Sequence, residues 1–180
     1  MKRLFAALGW MAAAEGVWAA LLFLAAEFII KRNWLAEHFL DPVYLDQPDY
    51  VESATNQMIA GFLTASRAIF AANLICAALW HISGACIRVH GPGRAAGLRL
   101  VWSVLLAIGL VLSLLAVYVY VGLTKLVPEH GMYELYGVAI VFFMLSYYIG
   151  TLFATARKLR PAVPLARLLP AREVREPART

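Results

Sequence analysis

Apolar residues are concentrated in four long runs, which short polar stretches separate. The runs cover about 4–30, 58–80, 100–124 and 135–156. Each has roughly the 20 residues that an α-helix needs to cross about 30 Å of hydrocarbon. The pattern predicts an all-α, polytopic membrane protein in which residues 1–156 form a four-transmembrane antiparallel helical bundle. Residues 157–180 follow as a basic, proline-rich tail.

A shorter amphipathic segment follows the first run and ends before Pro42. Trp34, Leu35, Phe39 and Leu40 would share one face of a short helix, and the proline would terminate it. We therefore predict an interfacial helix on the outer leaflet, anchored by Trp34. The acidic and aromatic stretch beyond it is predicted to dock a partner with a basic surface. This predicted outer interaction loop comprises Trp34, Tyr44, Asp46, Asp49, Tyr50 and Glu52.

Composition and charge identify the environment and the orientation. The chain is 62% hydrophobic and 15% charged, whereas soluble domains average about 45–50% and about 25%. Twelve Lys and Arg residues lie on the side of the termini and three on the opposite side. By the positive-inside rule both termini are cytoplasmic in a bacterial-type inner membrane. The net charge of +5 therefore reports orientation rather than nucleic-acid binding, and the basic tail is expected to touch anionic lipid.

Three ionisable residues fall within the predicted spans: Glu15, Glu27 and Arg67. Each costs at least about 2.5–3.5 kcal/mol at the bilayer centre if it is charged and unpaired. Glu15 and Arg67 lie on opposite sides of their span centres, with an axial offset of about 6 Å. We predict that they form an ion pair near mid-membrane, while Glu27 reaches water or pairs with Lys31, four residues on. A carboxylate beside a guanidinium is held in its charged form, which favours a structural role over proton carrying by Glu15 or Glu27.

Small residues at four-residue spacing predict where the helices pack. Helices in a bilayer associate through close backbone approach and polar contacts, because lipid chains are as apolar as leucine. The pattern does not tell whether these seams join the four spans or bind other subunits. The predicted packing positions are Gly61, Ala65, Gly109, Ser113, Ser146 and Gly150.

Two histidines and several acids lie on the predicted outer side. Imidazoles with carboxylates bind zinc or copper when the loops that carry them meet. The spacing here is not diagnostic, and surface histidines are usually plain polar residues, so we expect no cofactor other than lipid. The residues that would form such an outer metal site are Glu37, His38, Asp41, Glu129, His130 and Glu134.

The sequence contains no motif that names a reaction. We therefore expect a non-catalytic inner-membrane subunit that binds other membrane-protein subunits, with a secretion, conjugation or respiratory assembly equally compatible. One alternative is a small proton-coupled carrier that uses Glu15 and Glu27. A second alternative is a metal or quinone enzyme on the outer face.

Overall fold

The computed structural model describes residues 2–45, 47–86, 92–155, 159 and 162–164. Every regular element within these residues is helical. In chain order the elements are α1 (Lys2–Lys31), α2 (Trp34–Phe39), α3 (Pro42–Leu45), α4 (Pro48–Cys86), α5 (Pro92–Tyr120), a 3₁₀ turn (Gly122–Thr124), α6 (Glu129–Met144), a π turn (Leu145–Ile149) and α7 (Gly150–Ala154).

Four helical segments are long and apolar enough to cross a membrane. They are Leu8–Lys31, Asp49–Gly84, Ala96–Thr124 and Glu129–Ala154. Four such helices are the mark of a multi-pass membrane protein. The prediction of an all-helical protein with four helices long and apolar enough to span a membrane is confirmed.

Proline and asparagine mark most of the helix starts. Helices α3, α4 and α5 begin at Pro42, Pro48 and Pro92, and Pro128 directly precedes α6. Proline suits the first turn because its missing N–H has no partner there in any case. Between α1 and α2, Asn33 adopts a left-handed backbone with φ of 64°. Asparagine tolerates this conformation better than most residues.

Helix α4 begins ten residues before the predicted span at 58. Most of the stretch that the sequence analysis treated as an acidic loop is therefore helical. Pro48 starts this helix, and no glycine or further proline interrupts residues 49–60. Asp49 also lies in the first turn, where a negative charge is favourable.

The long helices contact one another in a closed circuit. Helix α4 contacts α1 and α5, α5 contacts α6, and α7 contacts α1. The largest side chains of the interior are fully buried and include Trp80, Phe143 and Tyr147. Large apolar side chains such as Phe28 and Val141 are exposed on the outside, as expected for a surface that faces lipid.

Helix α2 packs against the rest of the protein. Ala36, Phe39 and Leu40 are buried, whereas Trp34 is exposed. The backbone N–H of Asp41 donates to the Leu126 carbonyl at 2.9 Å, which ties this segment to the connection before α6. The predicted short helix is therefore present, and its apolar face covers the end of the helices.

The beginning of the predicted tail is packed rather than free. Ala162 and Val163 are 1% and 2% exposed, and the Tyr148 hydroxyl donates to the Pro164 carbonyl. The Leu159 side chain lies against Gly84. The other residues of the tail lie outside the described residues.

Candidate functional site

The ionisable residues of the spans pair differently from the prediction. Arg67 Nε lies 3.2 Å from Glu27 Oε1, and Lys31 Nζ lies 3.1 Å from Glu27 Oε2. The predicted Glu15–Arg67 ion pair is wrong, because Arg67 is on the exposed side of α4 while Glu15 points into the interior. The predicted pairing of Glu27 with Lys31 is confirmed.

The three charged side chains Lys31, Glu27 and Arg67 form a group that we call the charged triad. The Arg67 side chain is 59% exposed and that of Glu27 only 13%. One carboxylate is shared by two cations, so the triad carries an excess of one positive charge. Arg67 lies within the Asp49–Gly84 span of α4 and contacts Glu27, which is four residues before the end of the α1 span.

Glu15 occupies a second site on the inner face of α1. The side chain is 1% exposed, and neither carboxyl oxygen has a hydrogen-bond partner. The carboxyl group lies beside Gly150 of α7, where a Cβ atom would overlap it. It also lies next to the side chain of Asn73 on α4. A glycine is therefore needed at 150 for the carboxyl to enter the helix contact.

The π turn contributes the third side of this site. Tyr147 is fully buried, its hydroxyl has no hydrogen-bond partner, and it lies within electrostatic range of Glu15 and Cys76. A π turn disturbs the regular helical ladder and is frequent at functional sites. The indole N–H of Trp18, one turn after Glu15 on α1, donates to the Leu145 carbonyl at 3.1 Å. This bond holds α1 against the π turn. We call Glu15, Asn73 and Tyr147 the buried polar cluster.

Hydrogen bonds between side chains fix the helices around the cluster. The indole N–H of Trp102 donates to Thr151 Oγ1 at 3.1 Å, and that of Trp80 donates to Thr155 Oγ1 at 3.0 Å. His81 follows on α4, 3% exposed and with both ring nitrogens unpartnered. Buried polar groups are usually hydrogen-bonded. The two tryptophan indoles follow this rule, whereas the side chains of the buried polar cluster do not.

Sequence reasoning missed Asn73, Tyr147 and His81 as members of a buried polar region. One signal was available for Asn73, the amide in the apolar stretch after Arg67. Amides are uncommon in hydrocarbon unless they contact another helix. Tyr147 and its neighbour Tyr148 offered no such signal, because adjacent tyrosines fit an interfacial belt equally well.

The structure does not assemble the predicted outer metal site. In the part of the chain that the structure describes, no three His, Cys, Asp or Glu side chains are placed to share a metal ion. His38 instead stacks on the Trp34 ring, with centroids 5.5 Å apart. The Asp41 carboxylate accepts from the Val43 N–H at 3.0 Å. The remaining predicted ligands, Glu37, Glu129, His130 and Glu134, are exposed.

Only some side chains of the predicted outer interaction loop are exposed. Trp34 and Tyr50 are 58% and 62% exposed, and Asp49 and Glu52 are exposed on the first turns of α4. Tyr44 packs against the buried core. The position of Asp46 lies outside the described residues.

The small residues predicted to line helix seams lie at close approaches. A Cβ at Gly61 would be 2.5 Å from the Tyr120 carbonyl oxygen of α5, and a Cβ at Gly109 would overlap the Phe143 ring of α6. Gly150 meets Glu15 in the same way. The other three positions are buried: Ala65, Ser113 and Ser146.

An apolar cavity of about 250 Å³ lies between α1 and α6, with α4 and α5 as its floor. Of its sixteen lining residues, Ser66 is the one with a polar side chain. Its chemistry matches an acyl chain and offers little to a polar head group.

Comparison with known proteins gives no relative. No protein-family description matches the sequence, and no curated protein or solved structure is significantly similar to it.

Proposed function

We propose that this protein is a non-catalytic subunit of a larger membrane assembly. In this proposal the four spans form an antiparallel bundle in a bacterial inner membrane, with both termini in the cytoplasm and α2 at the outer interface. The subunit binds a transmembrane helix of another subunit through the exposed face of α4. The observation that carries the proposal is the exposed Arg67 within a membrane span.

An exposed guanidinium within a span is unfavourable, by at least about 2.5–3.5 kcal/mol if it is unpaired at the bilayer centre. Glu27 offsets only part of this cost, because Lys31 shares the same carboxylate. A carboxylate on a partner helix would neutralise the excess charge of the triad. Above and below Arg67, small side chains are exposed on the same face of α4, namely Ala60, Thr64, Ala71 and Ala78. Small residues allow a second helix to approach closely.

The test is the native mass of the protein after mild extraction from its own membrane, with mass spectrometry of the proteins that co-purify. We expect a hetero-complex well above the 19.9 kDa of one chain, containing a partner whose transmembrane helix carries Asp or Glu. Arg67→Gln should lose that partner. It should still fold, because Lys31 remains paired with Glu27.

Lys125→Gln is the matched control, since Lys125 is an exposed cation outside the long helices. It should retain the partner at the wild-type ratio. A wild-type complex that contains only copies of this chain would contradict the proposal. So would an Arg67→Gln variant that keeps the partner.

Proton carrying by Glu15 and Glu27 together is a weaker alternative. The Glu27 carboxylate forms ion pairs with two cations, Lys31 and Arg67. The two carboxyls are twelve residues apart on α1, or about 18 Å, so they do not form one relay. For an outer-face enzyme, the predicted metal ligands are not gathered and the cavity offers almost no polar lining. We propose that lipid acyl chains fill that cavity.

A further inference from the structure

The buried polar cluster places a carboxyl, an amide and a phenol together in the interior of the protein. Glu15 is 1% exposed, and Asn73 and Tyr147 are 0% exposed. Both carboxyl oxygens, both polar atoms of the amide and the phenol oxygen have no hydrogen-bond partner. Asn73 lies close enough to interact with the Glu15 carboxyl group, but no hydrogen bond of normal geometry involves any of the five atoms, which is far from the usual state of buried polar groups. We therefore expect the cluster to bind a ligand that completes the hydrogen bonding of these atoms.

The chemistry of the three groups selects the ligand. An ionised carboxylate can only accept hydrogen bonds, whereas a protonated carboxyl group also donates one. The protonated form therefore matches the amide of Asn73, which offers one acceptor and two donors. Ionised Glu15 would leave the Asn73 carbonyl oxygen without a donor and would bury a charge. Within the described residues it has no ion-pair partner.

A metal cation is a poorer match than a proton. The cluster offers four side-chain oxygens: two from Glu15, one from Asn73 and one from Tyr147. Calcium takes 6–8 oxygen ligands, and magnesium requires a near-ideal octahedron. The Gly150 backbone also closes one side of the carboxyl group, where a Cβ atom would overlap it.

We propose that Glu15, Asn73 and Tyr147 form an intramembrane proton-binding site. In the proton-bound state the Glu15 hydroxyl donates to Asn73 Oδ1, and the other carboxyl oxygen accepts from the Asn73 amide or the Tyr147 hydroxyl. When the proton leaves to water, the resulting carboxylate accepts from both donors. The proposal does not depend on the Arg67 surface.

The position of this site links proton occupancy to helix packing. Glu15 lies at the contact of α1 with α7, and Trp18 holds the same helix against the π turn. Among the described residues, Tyr147 of the π turn interacts electrostatically with Glu15 and also with the Cys76 thiol of α4. An ionised Glu15 requires water around a side chain that is 1% exposed, so we expect α1 to move away from α7 when the proton leaves. Loss of the proton should therefore loosen this contact.

Infrared spectroscopy of the full chain in lipid vesicles tests the proposal, because protonated carboxyl groups absorb apart from carboxylates and amides. At neutral pH we expect a protonated-carboxyl band that is absent in Glu15→Gln and unchanged in the control Glu27→Gln. Tyr147→Phe should shift the band and leave its intensity unchanged. Glutamine has the shape and hydrogen-bonding groups of the protonated acid, so Glu15→Gln should fold normally.

Hydrogen exchange supplies a second readout. After correction for the base-catalysed rise in intrinsic exchange, raising the pH should lower the protection factors of the amides around Trp18 and the π turn by at least several-fold in the wild type. The protection factors should stay unchanged in Glu15→Gln. A wild-type spectrum without a protonated-carboxyl band at neutral pH would overturn the proposal. Persistence of the band in Glu15→Gln, or equal exchange in both proteins as the pH is raised, would also overturn it.

Discussion

The contact between Gly109 of α5 and Phe143 of α6 gives a sharp prediction for Gly109→Ala. The added Cβ would overlap three carbon atoms of the Phe143 ring. That ring is 0% exposed and stacks on Tyr147 with centroids 5.7 Å apart. The two helices must therefore separate, or the ring must leave its preferred rotamer.

The size of the effect follows from a matched control. A Cβ at Gly137, also within a membrane span, meets nothing within 4 Å. Replacing a helical glycine by alanine is favourable by roughly 0.5–1 kcal/mol at both positions, so this contribution cancels in the comparison. What remains is the overpacking cost, which is typically about 1–3 kcal/mol. Gly109→Ala should be less stable than Gly137→Ala by that amount.

Reversible unfolding in mixed micelles measures this difference in free energy. Phe143→Leu should restore room at the contact, so Gly109→Ala should cost much less in that background. Equal stability of the two alanine variants would refute the packing of α5 on α6 through Gly109. The same conclusion would follow if Phe143→Leu left the cost of Gly109→Ala unchanged.

Two further predictions concern hydrogen bonds between helices, and the same unfolding assay checks both. Trp18→Phe removes the donor to the Leu145 carbonyl and should lower the unfolding free energy by about 1–3 kcal/mol; an unchanged value would mean that the bond does not hold α1 to the π turn. Thr155→Val removes the acceptor of the buried Trp80 indole and should have a similar cost. Thr64→Val is the control, because the exposed Thr64 hydroxyl donates a hydrogen bond only within its own helix. Its unfolding free energy should stay within about 0.5 kcal/mol of the wild type. An equal loss of stability in the two valine variants would contradict the Trp80 hydrogen bond.

The sequence predicted the number of spans because the signal for a membrane helix is local. Each apolar run is long enough by itself, and prolines mark several of the breaks. The limits of the spans were less accurate. The polar stretch 48–57 continues α4 without a break, because Pro48 starts a helix that nothing later interrupts. Hydropathy alone does not report such an extension.

The ion pair between Glu15 and Arg67 was predicted from their depth in the membrane alone. Similar depth is not sufficient for two residues on different helices to meet. Glu15 and Arg67 have compatible axial positions, but they lie on faces that do not meet. Depth along a helix follows from counting residues at 1.5 Å each. The direction in which a side chain points depends on the rotation of the whole helix about its axis. The neighbouring helices determine that rotation.

The amino-acid sequence by itself determined that this chain has four long apolar helices, because the free energy of crossing hydrocarbon is a sum over consecutive residues. Only the tertiary structure decided which polar groups are enclosed and which face outward. Glu15 is buried because Gly150, distant in the chain, leaves space for its carboxyl group. Arg67 is exposed because the opposite face of α4 packs in the interior. Contacts between residues far apart in sequence thus placed one ionisable residue in the interior and another on the surface.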